Sequence, residues 1–322
     1  MDIEKRPVGG GDYPRTFQEF DAWFGSEGAC RDFLKKLRWP DGFCCPHCGS
    51  KGEAWDTGRG LLHCKSCQGQ TSVTAGTIFE GTRKPLRTWF LAMWFAVSQK
   101  HGVSALGLQR VLGLGSYQTA WSWLHKLRRA MVRPGRDRLY GAVEFDETYV
   151  GAPEEDVHGR EIEGKAIVVV AAERREGAIG RIRLRQITDC SSESLMPFVC
   201  DAVAPGSTVF TDGWLGYSDF KKKGYAHEVL KIKTSGKKAH DLPPREHMAV
   251  SHLHRWLIGT HHGGIQKPHL DYYLDEFTFR FNRRSSRARG LLFYRLLQQA
   301  VATDPTPYAV IRGGKACAYP NM

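Results

Sequence analysis

The chain has 322 residues, enough for two domains or three, and its 41% hydrophobic and 25% charged content is ordinary for a globular protein with a sizeable core. Its charge is not ordinary. Lys and Arg number 46 against 34 Asp and Glu, a balance of +12 with a sequence pI near 9.3, which favours a polyanionic partner, most simply nucleic acid. With no run of about 18 apolar residues and no signal-peptide core at Met1–Pro7, a membrane or secreted protein is not expected, and a cytoplasmic one is.

Basic residues cluster at 126–138, 221–238 and 280–289, although solvated surface faces would give the same pattern. The nine cysteines are an odd number, and four stand in paired CxxC spacing. Together with the missing signal peptide, this points to metal binding in a reducing compartment rather than to disulfides.

From the N-terminus, Thr16 with Glu19 forms a capping box ahead of an apolar face of Phe17, Phe20, Trp23 and Phe24. Ser26 caps a second helix that stops before Pro40. Both helices read as a packing platform. Cys45-Pro-His-Cys48 and Cys64-Lys-Ser-Cys67 follow, separated by 15 residues. Two such knuckles suit one tetrahedral Zn²⁺ held by four thiolates in a zinc ribbon, with Glu53 to His63 forming strands. Cys44, His47 and His63 are less favoured as ligands, because four cysteines already complete the set.

Residues 85–101 carry Trp89, Phe90, Met93, Trp94 and Val97 at helical spacing, as a core helix does. Next, Ser104–Gly113 and Ser116–Arg129 read as two helices joined by a Gly-containing turn. Short helix, turn and basic helix is the outline of a helix-turn-helix, with Lys126, Arg128 and Arg129 as candidate DNA contacts. Any helical hairpin with these residues on a solvated face would look the same.

Beyond residue 140 the periodicity changes from helix to strand. Glu144, Asp146 and Glu147 lie inside the apolar strand Gly141–Gly151, and buried carboxylates need a positive partner, so Asp146 is a candidate metal ligand. Ala166–Ala172 and Arg181–Arg185 are further strands, Ser192–Ala204 a helix, and the strand from Ser207 ends on Asp212. After another helix, His227–Ile232 is a last strand.

Three strands, a helix, a strand, a helix and a strand is the order of a ribonuclease H-like α/β core, with strands arranged 3-2-1-4-5. In that topology the first and fourth strands are parallel neighbours, so Asp146 and Asp212 would lie side by side and offer oxygen ligands to Mg²⁺. Strand-end aspartates of some other α/β domain are the alternative. Residues 234–247 read as a loop, and helix resumes through Trp256. A helix over 268–284 places Glu276, Arg280 and Arg283 on one face, as a surface ion-pair ladder would. Leu291–Val301 is a last helix before a tail. The expected organisation is a helical segment (1–40), zinc ribbon (41–80), helical region with a possible DNA-binding function (81–138), catalytic domain (139–303) and tail (304–322).

Five motifs in order carry a resemblance: Arg38-Trp-Pro-Asp-Gly-Phe43 with the ribbon, Glu144-Phe-Asp-Glu-Thr-Tyr-Val-Gly151, Thr211-Asp-Gly-Trp-Leu-Gly-Tyr217, Arg255-Trp-Leu-Ile-Gly-Thr-His-His-Gly263 and Tyr273-Leu-Asp-Glu-Phe-Thr-Phe-Arg-Phe-Asn-Arg-Arg284. Together they resemble bacterial insertion-sequence transposases of the ISXO-like group, which join a zinc ribbon to a short DDE-type domain. The resemblance implies a ribonuclease H-like core, two catalytic Mg²⁺ or Mn²⁺ ions, and cutting and joining of double-stranded DNA at terminal inverted repeats by a homo-oligomer.

Asp146 and Asp212 match the family's first two acidic ligands. At the third position, usually Asn or an acid, this chain has His252 within Ser251-His-Leu-His254, and Glu276 is the substitute candidate. Imidazole is a softer ligand than Mg²⁺ prefers. Arg280 and Arg283 are candidates to clamp phosphate. A nuclease without joining activity and a decayed, DNA-binding descendant remain the alternatives.

Overall fold

The computed structural model describes residues 6–133, 135–151, 165–176, 178–230 and 245–313, with side chains from His247 onward in the last segment. Expectations for the tail beyond 313, for the loop over 234–244 and for the basic residues 231–238 lie outside these. The chain forms two compact units. One holds the chain to Arg133 together with Ser286–Gly313, and the other runs from there through Ser285.

In the first unit, α1 (Phe17–Trp23) and α2 (Glu27–Arg38) start on the Thr16 and Ser26 hydroxyls, which accept from the backbone N–H groups of Glu19 and Ala29. The ribbon strands β1 (Ala54–Asp56), β2 (Leu61–Cys64) and β3 (Gln70–Ser72) form an antiparallel sheet. Three helices follow: α3 (Leu86–Ser98), α4 (Ala105–Leu112) and α5 (Tyr117–Ala130). Gly113, at φ +60°, ends α4 in the left-handed conformation and Ser116 caps α5, so the expected helical hairpin forms.

The second unit is a five-stranded sheet built from β4 (Ala142–Val150), β5 (Ala166–Arg175), β6 (Ala178–Ile187), β7 (Thr208–Thr211) and β8 (Ala226–Val229), in the order β6-β5-β4-β7-β8. β6-β5-β4 pair antiparallel, and β4-β7-β8 pair parallel. α6 (Ser192–Ala202) provides the crossover to β7. Alternate residues of β5 serve two cores. Val169 and Ala171 pack with Val143, Phe145, Leu195 and Phe198 on the α6 face. Val168, Val170 and Ala172 pack with Leu253, Trp256, Leu274 and Phe277, from α7 (Arg245–His261) and α8 (Leu270–Asn282) on the other. Where a helix was expected between the Asp212 strand and β8, the chain makes two single 3₁₀ turns, Leu215–Tyr217 and Lys221–Lys223.

Two differences concern the C-terminal part. α9 (Arg289–Ala302) was expected within the catalytic segment 139–303, yet it packs in the first unit. Its Phe293 is fully enclosed by the rings of Phe20, Phe24, Phe90 and Trp94, at centroid separations of 5.3 to 5.8 Å. Past Asp304, the expected tail contains a short helix, α10 (Tyr308–Arg312), anchored by the buried Ile311.

Candidate active site and zinc centre

In the ribbon, each knuckle closes on a backbone bond from the residue after it, Gly49 to the Cys45 carbonyl and Gln68 to the Cys64 carbonyl, both residues at positive φ. The turns bring the Sγ atoms of Cys45, Cys48, Cys64 and Cys67 within 4.8 Å of one another. Cys45 Sγ is 3.7 Å from Cys67 Sγ, and Cys48 Sγ is 3.8 Å from Cys64 Sγ. A tetrahedron with Zn–S bonds of about 2.3 Å has edges of about 3.8 Å, so the four sulfurs fit Zn²⁺. Backbone N–H groups of Cys67 and Ser66 help hold the Cys64 thiol down to about 6, favouring the thiolate. Cys44 Sγ turns to the Gly49 carbonyl, His47 faces the Gln70 carbonyl and His63 stacks on Trp55.

In the sheet, β4 pairs with β7 through Ala142↔Thr208, Val143↔Val209 and Glu144↔Phe210. Carried two residues further, this register sets Asp146 opposite Asp212, just past the end of β7. Alternation turns Asp146, Glu144 and Thr148 away from the α6 face and toward α7. There the Thr148 hydroxyl lies 3.1 Å from His254 Nε2, and Asp146 Oδ2 lies 3.4 Å from His247 Nδ1. Burial lowers the pKa of His254, favouring its neutral ring.

The turn after β7 explains the Asp212-Gly-Trp-Leu-Gly-Tyr217 motif residue by residue. Asp212 Oδ1 accepts from the Trp214 N–H at 3.0 Å, which fixes the carboxylate over its own turn. Gly213 has φ +89°, and a Cβ there would lie 2.7 Å from Val229 Cγ1. A Cβ on Gly216 would run into the Cys190 carbonyl oxygen, which accepts from the Trp214 indole at 2.9 Å. Tyr217 is fully buried and donates its hydroxyl to Glu147, tying the turn to β4. Burial first, then the Glu147 carboxylate, then Asp146 and Asp212 push the phenol far above its ordinary pKa. One buried hydroxyl thus feels all three carboxylates.

His252 is exposed on α7, its ring 6.3 Å from that of Phe281. Glu276, expected on a surface ladder, is 2% exposed on α8 and accepts from Arg280 at 2.7 and 2.8 Å. Arg283 stacks over Phe279 at 4.0 Å. On α5, Arg128 is 1% exposed, not a solvent-facing base. Burial lowers the pKa of Lys126, and Arg129 reaches the Asp304 carbonyl. His247, expected at the end of a loop, instead lies on α7 against Asp146, and no local signal in the sequence aims it there.

Comparison with known proteins agrees with this division. Residues 25–70 match the transposase zinc-ribbon domain, and residues 138–282 match the ISXO2-like transposase domain. A protein in transposable element ISH50 of Halobacterium salinarum is 26% identical over 282 residues, covering 80% of this chain and 91% of its own length. With a four-cysteine ribbon ahead of an α/β domain, and both parts matched in that order, the chain carries the zinc-ribbon and ISXO2-like domains of insertion-sequence transposases.

Proposed function

We propose that the protein binds the terminal inverted repeats of its element and carries out metal-dependent strand cleavage and strand transfer, acting as a homo-oligomer on paired ends. The observation that supports this reading is the parallel register of β4 and β7, which, carried two residues beyond Glu144↔Phe210, would bring Asp146 beside Asp212. Counted within the sheet, β6-β5-β4-β7-β8 reads 3-2-1-4-5, and the antiparallel and parallel pairings fall as a ribonuclease H-like core requires. This supports the family's core fold and, with it, the assignment of both aspartates as metal ligands.

Carboxylate oxygens are hard donors that suit Mg²⁺ or Mn²⁺. Two such ions at Asp146 and Asp212 would supply an activated oxygen nucleophile and charge neutralisation at the scissile phosphate. The chain's own part is to hold those oxygens still. The Trp214 N–H orients Asp212, the Glu147–Tyr217 bond ties its turn to β4, and His247 stands against the second oxygen of Asp146. We assign His247 as the third group of the site, with His252 and Glu276 as the competing positions.

Asp146→Asn and Asp212→Asn test the reading. Each removes one anionic oxygen at nearly constant shape, and each should abolish cleavage and joining of an element-end duplex while leaving its binding nearly intact. Cleavage by either variant near the normal rate would overturn the assignment. A strand-transfer assay on precut ends separates a transposase from a nuclease that cannot join.

A further inference from the structure

We propose that a basic cleft between the zinc ribbon and the start of α3 grips the phosphodiester backbone of duplex DNA. The proposal rests on the DNA-acting function above and adds where, within the first unit, the duplex is held. A cavity of about 370 Å³ opens there, and four of its lining side chains are cations: Arg31, Arg59, Arg83 and Lys84. Its one carboxylate, Glu27, is engaged elsewhere, accepting from the Leu86 and Arg87 N–H groups at 2.9 and 3.4 Å and so capping α3. Among the described residues, none of the four cations has an ion-pair partner.

The cations come from three separate places, and the fold locks them together. The β1–β2 turn closes by the Gly60 N–H to the Thr57 carbonyl and the Thr57 N–H to the Leu61 carbonyl, both 2.8 Å. Gly60, at φ +74°, lies flat on the Arg31 guanidinium, where a Cβ would come within 2.8 Å of Cζ. That contact seats the turn carrying Arg59 against α2. Thr82 fixes the opposite wall, its hydroxyl accepting from the Trp89 indole at 2.8 Å and from the Lys84 N–H at 3.3 Å.

Four like charges around one cavity repel each other, and a polyanion relieves that repulsion. Guanidinium and ammonium groups offer donors and no acceptors, which suits phosphate oxygens and reads no base. Backbone contacts of this kind set affinity and register without sequence preference.

The test is the double variant Arg59→Gln/Lys84→Gln in the full chain. Binding is measured by fluorescence anisotropy over a series of salt concentrations, on a duplex carrying the element end and on a scrambled duplex of equal length. Both residues are exposed, and zinc content by elemental analysis should match the unaltered chain. Removing two phosphate contacts should flatten the slope of log K against log salt by about 1.8, at about 0.9 per contact, on both duplexes alike. A control, Lys36→Gln/Lys100→Gln, removes two exposed charges of the same unit outside the cleft and should keep the slope.

An unchanged slope in the cleft variant overturns the proposal. So does an equal loss in the control, which would make it a matter of net charge, or a loss confined to the element-end duplex, which would mean base reading. Failure of the unaltered chain to bind either duplex overturns the proposed function and the cleft together.

Discussion

Gly213→Ala is the sharpest probe of how Asp212 is held. The alanine must keep φ near +89° and place its Cβ 2.7 Å from Val229 Cγ1, closer than carbon atoms pack. An L-residue in the left-handed region costs about 1–2 kcal/mol. Overpacking costs about 1–3 kcal/mol, and the low end applies because Val229 is 45% exposed at the end of the edge strand β8. The sum, about 2–4 kcal/mol, matches or outweighs the ~1.5–3 kcal/mol of a hydrogen bond to a charged acceptor such as Asp212 Oδ1. The turn is therefore expected to relax and carry Asp212 with it.

A misplacement of about 1 Å costs on the order of 100-fold in rate. Single-turnover cleavage of an element-end duplex should fall by about that factor, with duplex affinity within about twofold of normal because phosphate contacts are untouched. Adding Val229→Ala removes the colliding methyl and should recover the steric share only, leaving about tenfold of the defect, the equivalent of ~1.4 kcal/mol. Cleavage by Gly213→Ala at the unaltered rate would show that this turn does not set the position of Asp212.

Two further outcomes follow from other parts of the molecule. Cys48→Ser should lower zinc content by elemental analysis and unfold the ribbon, whose own core is only Phe43, Cys45, Leu62 and Cys64, while amide exchange in the β4–β8 sheet stays slow. Full zinc content in that variant would refute the four-sulfur site. Glu173→Gln should destabilise the second unit by about 2–4 kcal/mol in thermal unfolding, toward the lower part of the range for breaking a buried pair because Arg181 keeps 30% exposure. Burial alone would raise the Glu173 carboxyl, but the Arg181 hydrogen bonds and charge outweigh it and hold its pKa below the ordinary glutamate value. That stability is present above the unfolded pKa and is lost as pH falls through the folded one, so the variant should show a flatter acid limb below about pH 4.5.

Most of the fold was legible because its signals are local. Caps at Thr16 and Ser26, the strict alternation of Arg181–Arg185 and the apolar run of β5 each depend on a few neighbouring residues. The four-cysteine cluster was legible for the same reason, and the element order was enough to expect the parallel pairing of β4, which carries Asp146 at its middle, with β7, which stops just before Asp212. What failed was burial of charge. Arg128 reads as a solvent-facing base on a helix, because arginines are rarely enclosed, yet in the fold it is 1% exposed. The basic cleft was invisible for the converse reason: its four cations are spread over 31–84, and only the Gly60–Arg31 contact and the α3 cap bring them together. α9 lies next to the catalytic segment in sequence, but its Phe293 fills an aromatic cage assembled from the other end of the chain.

The proposed third group beside Asp146 and Asp212 depends on a quantity the sequence does not carry, the rotation of α7 about its own axis. Composition alone places several histidines on that helix and cannot say which faces the sheet. Leu253, Trp256 and Leu257 fix the rotation by burying against β5 and β6, and this leaves His247 and His254 toward β4. At about 100° per residue, His252 is turned roughly 140° from His247, so one rotation of the helix does not bring both to Asp146. His252 is an exposed residue of α7, and Asp146 Oδ2 has His247 Nδ1 at 3.4 Å. His247→Ala should therefore lower cleavage at least tenfold more than His252→Ala, and His247→Asn should recover part of the loss, because its amide oxygen remains a hard donor. Glu276→Gln should act differently. Its carboxylate holds Arg280 in a buried pair, so the variant should lose thermal stability as well as activity, whereas His247→Ala should lose activity with its melting temperature nearly unchanged. A nearly inactive His252→Ala beside an active His247→Ala would mean that α7 turns on binding DNA and metal, and that the sequence position, not the helix face seen here, marks the ligand.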